Sequence, residues 1–286
     1  MFLVTKKMPY LSGSWRFTNA YNIKKQRGED MIYVSHLLKD EEMKEIIAQT
    51  GMGVESIEFS VAENLDKPGR TLETYRKRLE FMGCRELILH GPFLDLNPMA
   101  YDSLVVQATR TRYEQAYQAA KELGAKKLIL HSGFIPSVYF LTGWAERMAD
   151  FYKKFLEDKD DSVEILMENV MDPLPEPLRE IMENVSHPSF GICLDIGHAN
   201  CFSRTDCKEW AEMLFPYIRH LHLHDNPGDR DRHQALGDGT VPYRQVLELF
   251  RDRPGISCTI ECSTEREIQK SFFRLHQEGI FVSDIV

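Results

Sequence analysis

Glu86-Leu-Ile-Leu-His90 and Lys127-Leu-Ile-Leu-His131 are two short apolar runs, each entered from a charged residue and left on a histidine. Side chains at i and i+2 share one face of a strand, so Ile88 and His90 point one way while Leu87 and Leu89 point the other. Ile129 and His131 repeat that arrangement. The segment between the runs, from about Tyr101 to Leu123, is long, well patterned for a helix, and stopped by Gly124. Strand, helix and a second strand of the same kind form the unit of a parallel sheet.

The unit extends in both directions. Upstream, a strand at Ile32–Ser35 precedes a helix from Asp40 to Gln49, with Gly51 as its stop. A second strand at Ser56–Ser60 is followed by a loop holding Pro68-Gly69 and a helix from Thr71 to Met82, closed by Gly83. Downstream, a helix across Trp144–Leu156 leads to a strand at Val163–Glu168, and a helix from Pro177 to Asn184 leads to a strand at Gly191–Asp195. A helix near Lys208–Leu214, a strand at Ile218–His224, a helix over Pro242–Phe250, a strand at Ile256–Glu261 and a helix over Thr264–Gln277 complete the series. Eight strand-then-helix units predict a (β/α)8 TIM barrel forming a single domain over residues 31–286, and 286 residues suits one. An open doubly wound sheet would want a glycine-rich phosphate loop after its first strand, and the sequence has none there.

Residues 1–30 do not share the rhythm. Lys6, Lys7, Arg16, Lys24, Lys25 and Arg27 stand there against only Glu29 and Asp30. They read as a basic, poorly ordered extension ahead of a start at Met31, with a basic arm packing on the barrel or a partner as the competing reading. The whole chain carries a formal net charge of -9, which gives no global pull toward nucleic acid or an anionic membrane, and no apolar run is long enough to span a bilayer. Its six cysteines form no CxxC pair, and Cys193, Cys258 and Cys262 lie in or beside apolar strands. With no signal-peptide pattern, this predicts a reducing cytoplasm and argues against a thiolate zinc site.

Functional groups of such a barrel collect at the C-terminal ends of its strands. The ends of strands three to eight are His90, His131, Glu168, Asp195, His222 and Glu261. His198 follows Asp195 by three residues, and Asp231 and His233 lie in the loop after strand seven. Leu166 and Glu168, Cys193 and Asp195, and Thr259 and Glu261 repeat the parity of Ile88 and His90, so each polar residue tops an interior face. In Leu221-His-Leu-His-Asp225, His222 and His224 likewise share a face. A single buried histidine or carboxylate is usually a satisfied core residue. Glu168, Asp195 and Glu261 converging on one mouth would repel one another unless cations neutralise them. Nitrogen and carboxylate ligands without sulfur suit zinc, manganese or another first-row divalent ion, and nine candidates leave room for one to three ions. No strand ends in lysine, which argues against Schiff-base chemistry, because Lys126 and Lys127 lie at the opposite end of theirs.

Taken together, His90-Gly-Pro-Phe-Leu-Asp-Leu-Asn97, His131-Ser-Gly133, Glu168-Asn169, Cys193-Leu-Asp-Ile-Gly-His198, His222-Leu-His-Asp-Asn226, Asp231-Arg-His233, Gly237-Asp-Gly239 and Glu261 resemble the xylose-isomerase-like barrel superfamily over Met31 to about His276. That superfamily holds sugar-phosphate isomerases and epimerases together with endonuclease IV. The resemblance implies a shared inner metal site of Glu168, Asp195, His222 and Glu261. In the endonuclease pattern, His90 and His131 hold a second zinc with Glu168 bridging, and His198, Asp231 and His233 hold a third. His224 is additional, as a supporting partner or a substrate contact. The sequence departs from the endonuclease in its second loop, Val61–Arg70, which is of mixed charge, and in Phe93-Leu94, which replaces the Tyr-Leu pair used there to penetrate DNA.

Three functions stay open on these grounds. A divalent-metal-dependent isomerase or epimerase of a sugar or sugar phosphate would work through a metal-stabilised enediolate, with Glu168 and Glu261 removing and returning a proton and His198, His224 and Arg232 contacting substrate. A trinuclear zinc phosphodiesterase would act on abasic sites in duplex DNA. A non-catalytic metal-binding barrel is the third, and the first is the leading expectation.

Overall fold

In the computed structural model, which describes residues 31–279, strands β1 (Ile32–Ser35), β2 (Gly53–Ser56), β3 (Leu87–His90), β4 (Lys127–His131), β5 (Glu164–Glu168), β6 (Phe190–Asp195), β7 (Ile218–Leu223) and β8 (Ser257–Ile260) pair in parallel, each with the next and β8 with β1. The sheet closes, and the fold is the expected (β/α)8 barrel. The expectation made for residues 1–30 falls outside the described residues.

Around the strands lie helices α1 (Asp40–Thr50), α2 (Pro68–Met82), α3 (Ser103–Leu123), α4 (Trp144–Leu156), α5 (Glu176–Val185), α6 (Ile196–Phe202), α7 (Cys207–Leu214), α8 (Tyr243–Glu248) and α9 (Glu265–Gln277). Their inner faces form one shell of core with the outward side chains of the strands, including Leu89, Leu130, Tyr113, Trp144, Tyr152 and Trp210. A second, smaller core of Tyr33, Ile88, Ile129, Leu166 and Cys193 fills the barrel itself. The parity read from the sequence thus holds: Ile88, Ile129, Leu166 and Cys193 lie two positions below the polar strand ends. Burying each such apolar side chain contributes roughly 1.5–3 kcal/mol, so the interior set anchors the mouth above it. No helix among the described residues is long and apolar enough to cross a membrane.

Three elements differ from the sequence reading by more than one or two residues at an end. β2 lies at Gly53–Ser56 rather than Ser56–Ser60, because its ladder follows Tyr33–Ser35 and Leu87–Leu89. Ile57 then leaves the extended region at φ -96, ψ 3, and Glu58–Ser60 becomes a 3-10 turn that buries Phe59. α2 starts at Pro68 rather than Thr71, since proline's fixed φ and missing N–H suit the first helical turn. α6 begins directly after β6, with Asp195 as its N-cap accepting from His198 N at 2.7 Å.

Candidate metal centre

The inner position is built around His222. Its ring is fully buried, with Nδ1 3.3 Å from Glu168 Oε1, 3.4 Å from Glu261 Oε1 and 3.8 Å from Asp195 Oδ2. Parallel pairing aligns Asp195 with His222 and His131 with Glu168, which is why residues far apart in sequence meet. Asn169 ties the strand ends together, its side chain accepting from Asp195 N and donating to Asp195 O at 2.9 Å each. Beside this position, His90 Nε2 and His131 Nε2 face each other at 3.2 Å and lie 3.3 and 3.6 Å from Glu168 Oε2. His90 Nδ1 donates to Gly91 O at 3.0 Å, which leaves Nε2 bare toward Glu168. Phe93 stacks on His131, centroids 4.4 Å apart, and walls this side.

The outer position gathers His198, Asp231 and His233. Asp231 Oδ2 lies 2.9 Å from His233 Nε2 and 3.5 Å from His198 Nε2. The loop bearing Asp231 and His233 is held by Asp225, which accepts from the backbone N–H groups of Asn226, Gly237 and Val241. A Cβ on Gly239 would fall 2.2 Å from Asn226 O, so the Gly237-Asp-Gly239 turn closes on that anchor only with glycine. His224, which shares its face with His222, is fully buried at the base of this group. Arg232 is exposed at the rim.

Two participants escaped the sequence reading. Glu55, on β2, is fully buried, 3.1 Å from His222 Nε2, and accepts from Thr259 Oγ1. Below it, His220 contacts Thr259 Oγ1 at 2.8 Å and Ser257 Oγ at 2.7 Å, and Ser257 accepts from Lys127 Nζ at 2.9 Å. A polar column therefore runs along the barrel from Lys127 at the base to His222 at the mouth. The missed signal was Gly51: a helix stopped there needs its next strand within two or three residues, which makes Glu55 a strand residue.

The electrostatics follow from this crowding. Burial would raise the Glu168 carboxyl, yet the His222 imidazole beside it and the His198 contact hold it well below its usual range. Burial raises the Glu261 carboxyl, and Glu55, Glu168 and Asp195 add to that against His222. Burial also pushes His131 down to about 3, keeping a neutral imidazole. Glu168 Oε2, His222 Nδ1, His224 Nδ1 and Asp231 Oδ1 are buried without a hydrogen-bond partner among the described residues. Orphaned buried atoms cost about 1–3 kcal/mol each. All four belong to groups of ligand-type side chains close enough to share an ion, so the donor set fits divalent cations.

The family model for the xylose isomerase-like TIM barrel matches residues 46–279. The chain belongs to that family. Members of the xylose isomerase-like family typically bind divalent metals, and most of those similar to this chain are enzymes, either epimerases or endonuclease 4-like proteins. An uncharacterised protein of Methanocaldococcus jannaschii, MJ1311, is 29% identical over 177 residues, covering 58% of this chain and 60% of its own length. The chain thus spans less than two thirds of that relative. A probable endonuclease 4 of Mesomycoplasma hyopneumoniae is 26% identical over 200 residues, 63% of this chain and 70% of that protein. Among solved structures, the TTHB071 protein from Thermus thermophilus, soaked with ZnCl2, superposes with a TM-score of 0.71 at 28% identity, covering 86% of this chain and 97% of that one. A D-tagatose 3-epimerase-like protein gives 0.68 at 25% identity, covering 87% and 96%.

Proposed function

We propose that the protein is a divalent-metal-dependent isomerase or epimerase of a sugar or sugar phosphate. The observation that carries the reading is the placement of Glu168 and Glu261, 3.3 and 3.4 Å from the same His222 nitrogen. A substrate bound to an ion at that nitrogen would lie between two carboxylates. Glu168, His222, Asp195 and Glu261 would hold one ion, zinc or manganese by donor type, and His90 and His131 a second with Glu168 between. Such an ion would polarise substrate oxygens and offset the charge that develops on them as a carbon-bound proton leaves. Glu168 and Glu261 would move that proton, one carboxylate oxygen taking it and the other returning it. Arg232 at the rim offers a guanidinium to a phosphate or hydroxyl.

The test is carbon-bound hydrogen exchange into deuterated water, followed by NMR over a panel of ketoses and ketose phosphates with metal-loaded protein. Glu168→Gln and Glu261→Gln should each lower exchange at least 100-fold. Near-full exchange by Glu168→Gln would refute the reading.

The filling of all nine ligand positions favours a second reading, an endonuclease IV-type zinc phosphodiesterase. Cleavage of an abasic duplex with three zincs per chain, and no sugar exchange, would establish it instead. Phe93 weighs against it, because its ring is packed on His131 rather than free to enter a duplex.

A further inference from the structure

We propose that the outer position is a closed, four-ligand cation site made by His198, His224, Asp231 and His233, with His224 as a ligand rather than a substrate contact. The inference rests on the mouth being a metal centre and is independent of which reaction it performs.

Each of the three imidazoles has one nitrogen tied to a fixed oxygen. His198 Nδ1 donates to Asn169 O at 3.0 Å, His233 Nδ1 donates to Glu261 O at 2.8 Å, and His224 Nε2 lies 3.1 Å from the Asp195 carboxylate. A ligating histidine typically donates its other N–H to such an oxygen, which settles the tautomer and aims the bare nitrogen. The bare atoms are then His198 Nε2, His233 Nε2 and His224 Nδ1. All three face Asp231, at 3.5, 2.9 and 3.5 Å. The ligand atoms of the four residues lie within 4.8 Å of one another. Four donors about 2.05 Å from one tetrahedral ion stand about 3.3 Å apart.

His224 Nδ1 and Asp231 Oδ1 are both buried and lack a hydrogen-bond partner, although they lie 3.5 Å apart. Two acceptors brought together away from water repel, and a cation between them removes the repulsion. The fold also makes specific room for this ring. A Cβ on Gly197 would fall 2.1 Å from His224 Cε1 and 2.5 Å from each of its nitrogens, so only glycine lets the imidazole lie there. His233 stacks on the ring at 3.9 Å and 14°, and its own backbone is held at φ 46, in a region that costs a non-glycine residue about 1 kcal/mol or more. Three imidazoles and one carboxylate complete a tetrahedron of the structural kind, whereas the inner ion, held mostly by carboxylates, can expand its shell to take substrate oxygens. Its role is to brace the loop after β7 over the inner sites.

Cobalt(II) alone, titrated into the full metal-free chain, tests this. The wild type should show the intense visible absorption of a four-coordinate ion. His224→Ala should lose the outer ion's share of that absorption and bind its weakest ion at least tenfold more weakly, while the ions held by the inner ligands stay. Gly197→Ala should do the same with every ligand still present. Anomalous diffraction from cobalt-loaded wild-type crystals should place His224 Nδ1 in the outer ion's coordination shell, and this reading does not depend on the variants folding. An outer ion that lacks His224, or an unchanged band and affinity in His224→Ala, overturns the proposal while leaving the inner sites intact. A wild type that binds no cobalt overturns it together with the metal-centre reading.

Discussion

Because the Glu55 carboxylate lies 3.1 Å from His222 Nε2, that nitrogen is the protonated one and Nδ1 is bare toward Glu168, Asp195 and Glu261. Glu55→Ala should weaken inner-site zinc affinity about 10- to 100-fold in a chelator competition, and Glu55→Gln, whose amide oxygen still accepts, should recover part of it. An undiminished affinity in Glu55→Ala would remove Glu55 from the centre. Asp172 offers a separate test by pH. Burial lifts its carboxyl from 3.8 to about 6, despite the hydrogen bonds it accepts from Ser132 Oγ and Val170 N. The unfolded chain ionises first, so the stability this group contributes is complete below about pH 4 and lost as pH rises toward about 6, on the order of 3 kcal/mol in all. Asp172→Asn keeps an acceptor and cannot titrate. In denaturant unfolding, its stability relative to wild type should therefore rise between pH 4 and pH 6, and a constant difference would contradict the assignment.

Among the elements, the strand-and-helix alternation was legible because the early helices stop at glycines and each strand is a short apolar run. Gly51, Gly83 and Gly124 all sit at positive φ at helix ends. The placement of the strand-end candidates was legible too, since period-2 parity puts them above Ile88, Ile129, Leu166 and Cys193. Glu55 and His220 were not, for a physical reason: polar side chains inside a barrel contradict the pattern that identifies strands, and only their hydrogen bonds through Thr259 and Ser257 make them tolerable there. Where β2 ends, Glu58 turns outward to Arg78 on α2, which also grips Asp40 of α1 through two 2.9 Å contacts. Arg78→Ala should cost about 1 kcal/mol, allowing for partial solvent screening, and lower Tm by a few degrees. Calorimetry showing no shift would mean that the clamp is idle.

For the whole molecule, the mouth concentrates Glu55, Glu168, Asp195, Asp231 and Glu261, five of the carboxylates behind a net charge of -9. Stability should therefore depend on free metal. Zinc held at about a hundredfold over its Kd should add about 2.7 kcal/mol per site, and chelation should lower Tm to a plateau set by the metal-free protein. A Tm indifferent to chelator would contradict the metal-centre reading. The column from Lys127 through Ser257, His220, Thr259 and Glu55 to His222 also bears on how this sequence can drift. Most barrel interiors accept exchanges among branched apolar residues, one position at a time. Here each member satisfies its neighbour, so a saturation library selected for zinc retention should show these six positions changing only in compensating sets. Ser257 and Lys127, at the end of the barrel remote from the mouth, should be as intolerant as the proposed ligands themselves.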